Sequence, residues 1–364
     1  MEFTFSDEQN ALRDSVRAFL QNESPPERVA AMQADPAGVA DELWEAMVDL
    51  GWTGLLVPVE RGGLGLGMVD MVVVLEEMGR VPFPGPYFSS AVAATLASLH
   101  LGLDDQLVSL AAGTSRGTVA VEELGHGDPV DRIRTRAVRR DGRWRLSGLK
   151  PVVFDGHSAD WVLVPARTEA GLSTFLVEAP RAELVPGLDV TRKIARLDLD
   201  DREALPVGPD GDHTGVWRRI CDDTSVALCA ELIGSAEEAL DLAVEYAKTR
   251  VQFGRPIATF QVIKHKAVDM LHKLELARVG VHYAAWASDV DDAVREEAVA
   301  MSKASCGEMA VFVTGESIQI HGGVGFTWDC PAHLHYRRAK QNDMLLGQQG
   351  WQRRRLADLI LATA

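Results

Sequence analysis

A chain of 364 residues, 46% hydrophobic and 25% charged, is long enough for two or three domains around a sizeable core. Its net charge of −16 argues against nucleic acid or an anionic membrane as the main partner, so an anionic ligand must be held by local arginines or helix ends. The start, MEFTFSDEQ, has no signal-peptide core, and the longest apolar runs are too short and too charged to span a bilayer. Cys221, Cys229, Cys306 and Cys330 lack CxxC spacing and read as reduced, buried thiols of a cytoplasmic protein, and the scattered histidines offer no metal site.

Residues 1 to about 115 read as helical. In FSDEQNALRDSVRAFL, Ser6 is an N-cap with Gln9 three residues on, followed by apolar residues at helical spacing. VADELWEAMVDLG is a second amphipathic helix ended by Gly51, and LLVPVERGGLGLG is a glycine-rich loop. MVDMVVVLEEMGR is a third helix, apolar on nearly every face and therefore expected to be buried. VPFPGPYF is a rigid connection, and SSAVAATLASLHLG is a fourth helix.

The period changes over residues 116–215. TVAVEE, IRTRAVRRDGRWRLSG, DWVLVPAR and STFLVEA alternate in short runs, and Asp141-Gly142 between two such runs is a hairpin signal. The expectation is a small antiparallel β domain, a barrel. From 216 to 364 the helical period returns in four segments, roughly 216–250, 257–287, 292–322 and 331–362, as an antiparallel four-helix bundle requires. The expected fold is mostly α with a small β domain.

Two junctions in the bundle carry unusual chemistry. RVQFGRPIATFQ (Arg250–Gln261) breaks a helix at Phe-Gly-Arg-Pro, with Pro256 placed for the start of the next helix. Taken alone, it also reads as a plain αα-hairpin. QIHGGVGFTWDCP (Gln319–Pro331) has three glycines where a C-cap needs one, and glycine pairs let backbone N–H groups approach a ligand. YRRAK follows as another basic run.

Together, these segments, the three-part order and the VPVERGGLGLG loop resemble the acyl-CoA dehydrogenase family over the whole length of the chain. The resemblance implies an N-terminal helical domain, a middle β-barrel domain and a C-terminal four-helix bundle. It also implies FAD as cofactor, an acyl-CoA substrate desaturated between Cα and Cβ, and an electron-transfer flavoprotein as acceptor. By the same resemblance Arg250 meets the FAD diphosphate, Gln252, Phe253 and Gln261 stand beside it, and Gln319, Gly322 and Gly323 wrap the adenosine end. In this family that half of FAD usually belongs to a neighbouring subunit, so the interrupted helix reads as a handle offered across a dimer interface.

The rest of the pattern departs from the family. Its base is most often a Glu before a Gly, about ten residues past Tyr-Arg; here Leu346 stands there, before Gly347. The alternative Glu position, at the start of the first bundle helix, is Thr224. Neither side chain can take a proton. Candidates for a relocated base are Glu231, seven residues past Thr224 on nearly the same helix face, and more weakly Asp343, which also reads as a solvated side chain, and Asp223, expected to point elsewhere. The family's flavin segments Thr-Glu-Pro-Gly-x-Gly-Ser-Asp and Trp-Ile-Thr-Asn are replaced by VEELGHGDP and PVVFDG, where Val152 and Val153 offer no side-chain donor.

An intact ADP-binding half beside a degraded flavin half resembles the smaller subunits of actinobacterial two-gene acyl-CoA dehydrogenases, α2β2 assemblies acting on steroid-derived CoA esters. A homodimer with a relocated base and flavin contacts made by backbone N–H groups is the other reading. A non-catalytic subunit completing a partner's FAD site and a flavin monooxygenase of the same fold are the alternative functions.

Overall fold

The computed structural model describes residues 5–291 and 293–363; residue 292, where the third bundle segment is expected to begin, lies outside them. Among the described residues, helices α1 (Asp7–Glu23), α2 (Pro26–Ala34), α3 (Asp41–Asp49), α4 (Met68–Arg80), α5 (Thr95–Leu101) and α6 (Asp104–Ala111) come first, with a π-helix over Tyr87–Ala94. The Ser6–Gln9 capping box forms in both directions, at 3.1 and 3.2 Å. Helices α2 and α6, eight or nine residues long, carry too few turns for a periodic signal; α2 starts at Pro26, where a missing N–H costs nothing. The segment expected as the fourth helix begins as π-helix and becomes α only at Thr95.

By contact, the chain forms two compact units: Ala30–Gly67 with Pro84–Thr224, and Met1–Val29 with Met68–Phe83 and Ser225–Ala364. In the first, strands β1 (Gly117–Val119), β2 (Arg136–Arg140), β3 (Arg143–Ser147), β4 (Leu149–Phe154), β5 (Trp161–Arg167), β6 (Leu172–Glu178), β7 (Glu183–Val185), β8 (Ile194–Asp198) and β9 (Arg202–Val207) form two sheets. One runs β1-β5-β2-β3-β9-β6, and β6 pairs back to β5, which closes a barrel; the other is β4-β8-β7. Asp141 (φ 50°) and Gly142 (φ 81°) turn the β2–β3 hairpin with positive φ at both central residues, as a two-residue type I′ turn demands.

The sheet is not purely antiparallel. β1 runs parallel to β5, and β2 meets β5 in parallel through Arg136 and Arg167. The TVAVEE run stops being a strand at Val119, because Glu122 and Glu123 turn to internal partners. Glu122 accepts from Arg132 (2.8 Å), and Glu123 accepts from buried Lys150 (2.7 Å) and from the Thr135 hydroxyl (2.6 Å). Around this pair the barrel core is apolar: Leu146, Val162, Val164, Phe175 and Leu197 are each at most 1% exposed.

The other unit is helical: α1, α4, most of α7 (Thr214–Thr249), then α8 (Gln261–Asp289), α9 (Arg295–His321), α10 (Ala332–Met344) and α11 (Gln349–Thr363). Apolar α4 is buried nearly end to end, as its composition requires. It lies so close to α7 that a Cβ on Gly234 would fall 1.7 Å from Glu76 O, and one on Gly79 2.2 Å from Glu231 O. Arg80 then ties the end of α4 to Glu237, Glu238 and Asp241 on α7.

Two bundle junctions differ from expectation. The Arg250–Gln261 break is a miniature hairpin, β10 (Val251–Gln252) against β11 (Arg255–Pro256), turned by Phe253 (φ 52°) and Gly254 (φ 77°). Pro256 therefore precedes a short 3-10 turn, Ile257–Thr259, and α8 starts at Gln261. The fourth bundle segment is two helices, because the chain turns at Leu345–Gln348 with Leu346 at φ 53° and Gly347 at φ 90°.

Candidate functional site

The last turns of α7 and α9 bring two loops together. Tyr246 and His321 stack with ring centroids 4.6 Å apart, 31° between planes. His321 is held by its Nδ1–H donating to Ser317 O (2.8 Å), and the Arg250 N–H donates to Tyr246 O (2.8 Å). The stack thus joins the loop starting at Arg250 to the one starting at Gly322.

Every side chain that the resemblance assigned to the ADP end is exposed there: Arg250, Gln252, Phe253, Gln261 and Gln319. Arg250 forms no ion pair with any described residue, so its planar fork is available to a diphosphate. Phe253 is 92% exposed in a left-handed conformation that bulky residues avoid, an outlier of the kind that marks ligand clamps. Gly322 (φ 63°, ψ −142°) and Gly323 would each carry a Cβ into open space, so internal packing is not what excludes a side chain. A bare backbone facing outward suits a polyanion. These residues fit the ADP end of FAD.

Sequence reasoning missed the aromatic wall beside this handle. Phe326 is 74% and Trp328 67% exposed. Arg337 lies 5.2 Å over the Trp328 ring, and His333 meets it edge-on at 4.8 Å. Of the YRRAK run Arg337 meets this loop over Trp328 and Tyr336 packs against the cluster containing Cys330; Arg338 is fully buried and donates to Phe83 O (3.0 Å). Tyr246 and His321 carried no sequence signal, since their pairing spans 75 residues.

The base positions are different. Leu346 is 7% exposed in the α10–α11 turn, its carbonyl accepting from Gln352 (3.1 Å). Thr224 turns its hydroxyl back to Ile220 O (2.7 Å). Glu231 is 2% exposed on α7, with Asn342 Nδ2 3.5 Å from Oε2. Asn342 belongs to the last turn of α10, whose terminal carbonyls of Asn342 and Asp343 accept from the buried Lys303 ammonium at 3.0 and 3.4 Å. A cation at a helix C-terminus is where the helix dipole favours one. Asp343 is not solvated: it is 9% exposed and accepts from Gln349 (2.9 Å). Asp223, in the barrel-containing unit, is buried between His100 and Arg219, each 2.8 Å from Oδ2. Burial alone would raise its pKa, but the bonds from His100 and Arg219 outweigh that and hold it below the usual carboxylate range.

The acidic side chains of the first segment replacing the flavin contacts turn inward, while its middle, Leu124 to His126, is exposed. VEELGHGDP spends Glu122 and Glu123 on Arg132, Lys150 and Thr135. In PVVFDG, Val153 is 1% exposed, Phe154 O accepts from Thr118 (2.8 Å), and Asp155 is 2% exposed. Their side chains do not fit a flavin ring as the family's donors would. No group of three or more His, Cys, Asp or Glu among the described residues is placed to hold a metal ion, and no described helix is long and apolar enough to cross a membrane.

Comparison with known proteins identifies the family and the fold. Residues 6–107 match the family model "Acyl-CoA dehydrogenase, N-terminal domain" and residues 220–361 match "Acyl-CoA dehydrogenase, C-terminal domain". The chain is 32% identical to the acyl-CoA dehydrogenase IpdE2 of Mycolicibacterium smegmatis, over 96% of this chain and 98% of that one. Among solved structures it is similar to a variant of the Tcur3481-Tcur3483 steroid ACAD (TM-score 0.89, 31% identity, 98% of each chain). It is also similar to the ChsE4-ChsE5 complex from Mycobacterium tuberculosis (TM-score 0.87, 28% identity, all of each chain). The chain belongs to the acyl-CoA dehydrogenase family, oxidoreductases acting on CH–CH groups.

Proposed function

We propose that this chain is one subunit of an FAD-dependent acyl-CoA dehydrogenase assembled from homologous chains, and that its contribution is to hold the ADP end of a flavin whose ring lies in a partner subunit. The carrying observation is the contrast within one unit: Arg250, Gly322 and Gly323 stand open on two joined loops, while the usual base position is the buried, non-ionisable Leu346. Arg250 binds the diphosphate as a charged fork, Gln252, Gln261 and Gln319 supply neutral hydrogen bonds, and Phe253 covers the ligand. When bound, FAD supplies hydride acceptance.

A positioned base must remove the α proton. Glu231 is the acid we assign to that role if the chain is catalytic by itself. The domain division 1–115, 116–215 and 216–364, a cytoplasmic location, a homologous α2β2 or dimeric partner and an electron-transfer flavoprotein as acceptor belong to the same reading. Two structural relatives described as a steroid ACAD and as a two-protein complex support a steroid-derived CoA ester as substrate and a hetero-oligomer as the assembly.

The test is the FAD-to-chain ratio of the protein purified alone and after co-expression with a homologous neighbouring chain. A ratio near zero alone, recovered on co-expression, is expected. A ratio near one for the chain alone would refute the divided site and leave a homo-oligomer based on Glu231.

A further inference from the structure

We propose that the seat where this fold's flavin ring would lie against the β domain is filled in this chain by Arg192, clamped by Phe88 and Phe154. The inference rests on the reading above that the chain contributes an ADP handle and no ring site.

Three elements build the clamp, all within the barrel-containing unit. Phe154 ends β4, in the PVVFDG segment that stands where the family has its second flavin contact. Phe88 comes from the π-helix Tyr87–Ala94, a rare element frequently found at functional sites. Arg192 precedes β8, the strand paired with β4. Its guanidinium lies 4.6 Å from the Phe88 centroid and 5.0 Å from that of Phe154 and is 3% exposed. The two rings stand edge-to-face, 84° apart, with centroids at 6.0 Å. A flat ring needs carbon contacts of about 3.5 Å on each face, hence roughly 7 Å between parallel flanking groups. The rings here are neither parallel nor far enough apart, and a planar cation already covers both.

The surroundings stabilise the cation. Asp155 follows Phe154 at φ 49° and is 2% exposed; it accepts from Ser89 Oγ (2.6 Å), while its Oδ1 has no hydrogen-bond partner among the described residues. Burial pushes the Asp155 carboxyl above the usual carboxylate range, and Ser89 and Arg192 oppose it. Phe88 is 3% exposed and Phe154 half-buried, and cation–π contact is worth more with a desolvated ring than with an exposed one. Neighbours on the strand side close the gap further: Val153 is 1% exposed, and a Cβ on Gly156 would meet it at 2.8 Å. In this segment Val153, Asp155 and Gly156 are buried, and Val152 and Phe154 are half-buried.

The experiment separates the two ends of the cofactor. Lumiflavin carries the ring without ADP, and ADP carries the other end without the ring. The full-length wild-type chain, Arg192→Ala and Phe154→Thr are each titrated with both, by flavin fluorescence quenching and by calorimetry. Phe154→Thr opens the seat while leaving Arg192 and Asp155 themselves unchanged, so it reports even where Arg192→Ala fails to fold. Wild type is expected to show no saturable lumiflavin quenching, and the folded variants to bind one lumiflavin per chain, about tenfold or more tighter than wild type. ADP binding is expected to be the same in all three. Saturable 1:1 lumiflavin binding by wild type overturns the plug, as do folded variants that gain nothing. Loss of ADP binding in wild type would sink the handle reading instead and leave the plug standing.

Discussion

Gly234→Ala probes the α4–α7 contact on which the position of Glu231 depends. The added Cβ would sit 1.7 Å from Glu76 O, 2.7 Å from Glu76 C and 3.1 Å from Arg80 N, all main-chain atoms that no rotamer change can move. To restore ordinary contact, α4 must back away by roughly 1.5 Å, and a gap of that size forfeits much of the packing energy of the faces involved. Met71, Val74, Leu75 and Met78 of α4 are each at most 1% exposed, so those contacts are core contacts. Overpacking of this kind costs about 1–3 kcal/mol and sometimes more, against which alanine returns about 1 kcal/mol of helix propensity. The net loss expected is about 2 kcal/mol, a fall in Tm of roughly 5 °C. Gly315→Ala on α9 is the control: its Cβ meets nothing nearer than the Tyr336 ring at 3.6 Å, so only the propensity gain remains and Tm should rise slightly. Calorimetric melting of the three proteins in one buffer decides the matter. A Gly234→Ala protein as stable as wild type, or two glycines shifting Tm in the same direction, would refute the close-packing argument.

Arg250→Ala should weaken retention of FAD by the assembled complex by about 1.5–3 kcal/mol, the worth of a hydrogen bond to a charged group, read as loss of flavin absorbance on gel filtration; unchanged retention would remove Arg250 from the diphosphate. Glu231→Gln should abolish turnover if Glu231 is the base, and an unaltered rate in the reconstituted complex would return it to a structural role beside Asn342. Asp223 sets a pH prediction. Its folded pKa is depressed, so the stability it contributes is present above the unfolded carboxylate value of about 3.9 and is lost as pH falls through the folded value. The Tm difference between wild type and Asp223→Asn should therefore be largest near neutrality and shrink below about pH 4; a difference that grows on acidification would contradict the assignment.

Much of this protein is legible in its sequence because the governing physics is local. Alternation of period two against a period near 3.6 separates strands 117–207 from the helices on either side, and Asp141-Gly142 names its own turn through two positive φ values. The capping box at Ser6 and Gln9 and the buried α4 follow the same logic. Arg250, Gly322 and Gly323, proposed here as the ADP handle, are named from the sequence through the family resemblance of two contiguous motifs and stand exposed in the structure. Short helices such as Pro26–Ala34 escaped, since two turns hold too few residues to show a period.

What the tertiary structure decided are pairings between residues far apart in the chain, where no local rule applies. Leu346 looked like one more helical residue; only the turn that splits α10 from α11 sets it at φ 53° with its carbonyl bound to Gln352. Asp343 looked solvated until α11 folded back and supplied Gln349. Tyr246 finds His321, and Arg192 finds Phe88 and Phe154, because packing of whole elements places those side chains together. Composition and period choose the elements; which of their faces meet is settled by close packing, where a separation of about 1 Å decides whether a side chain, a ligand or nothing fits.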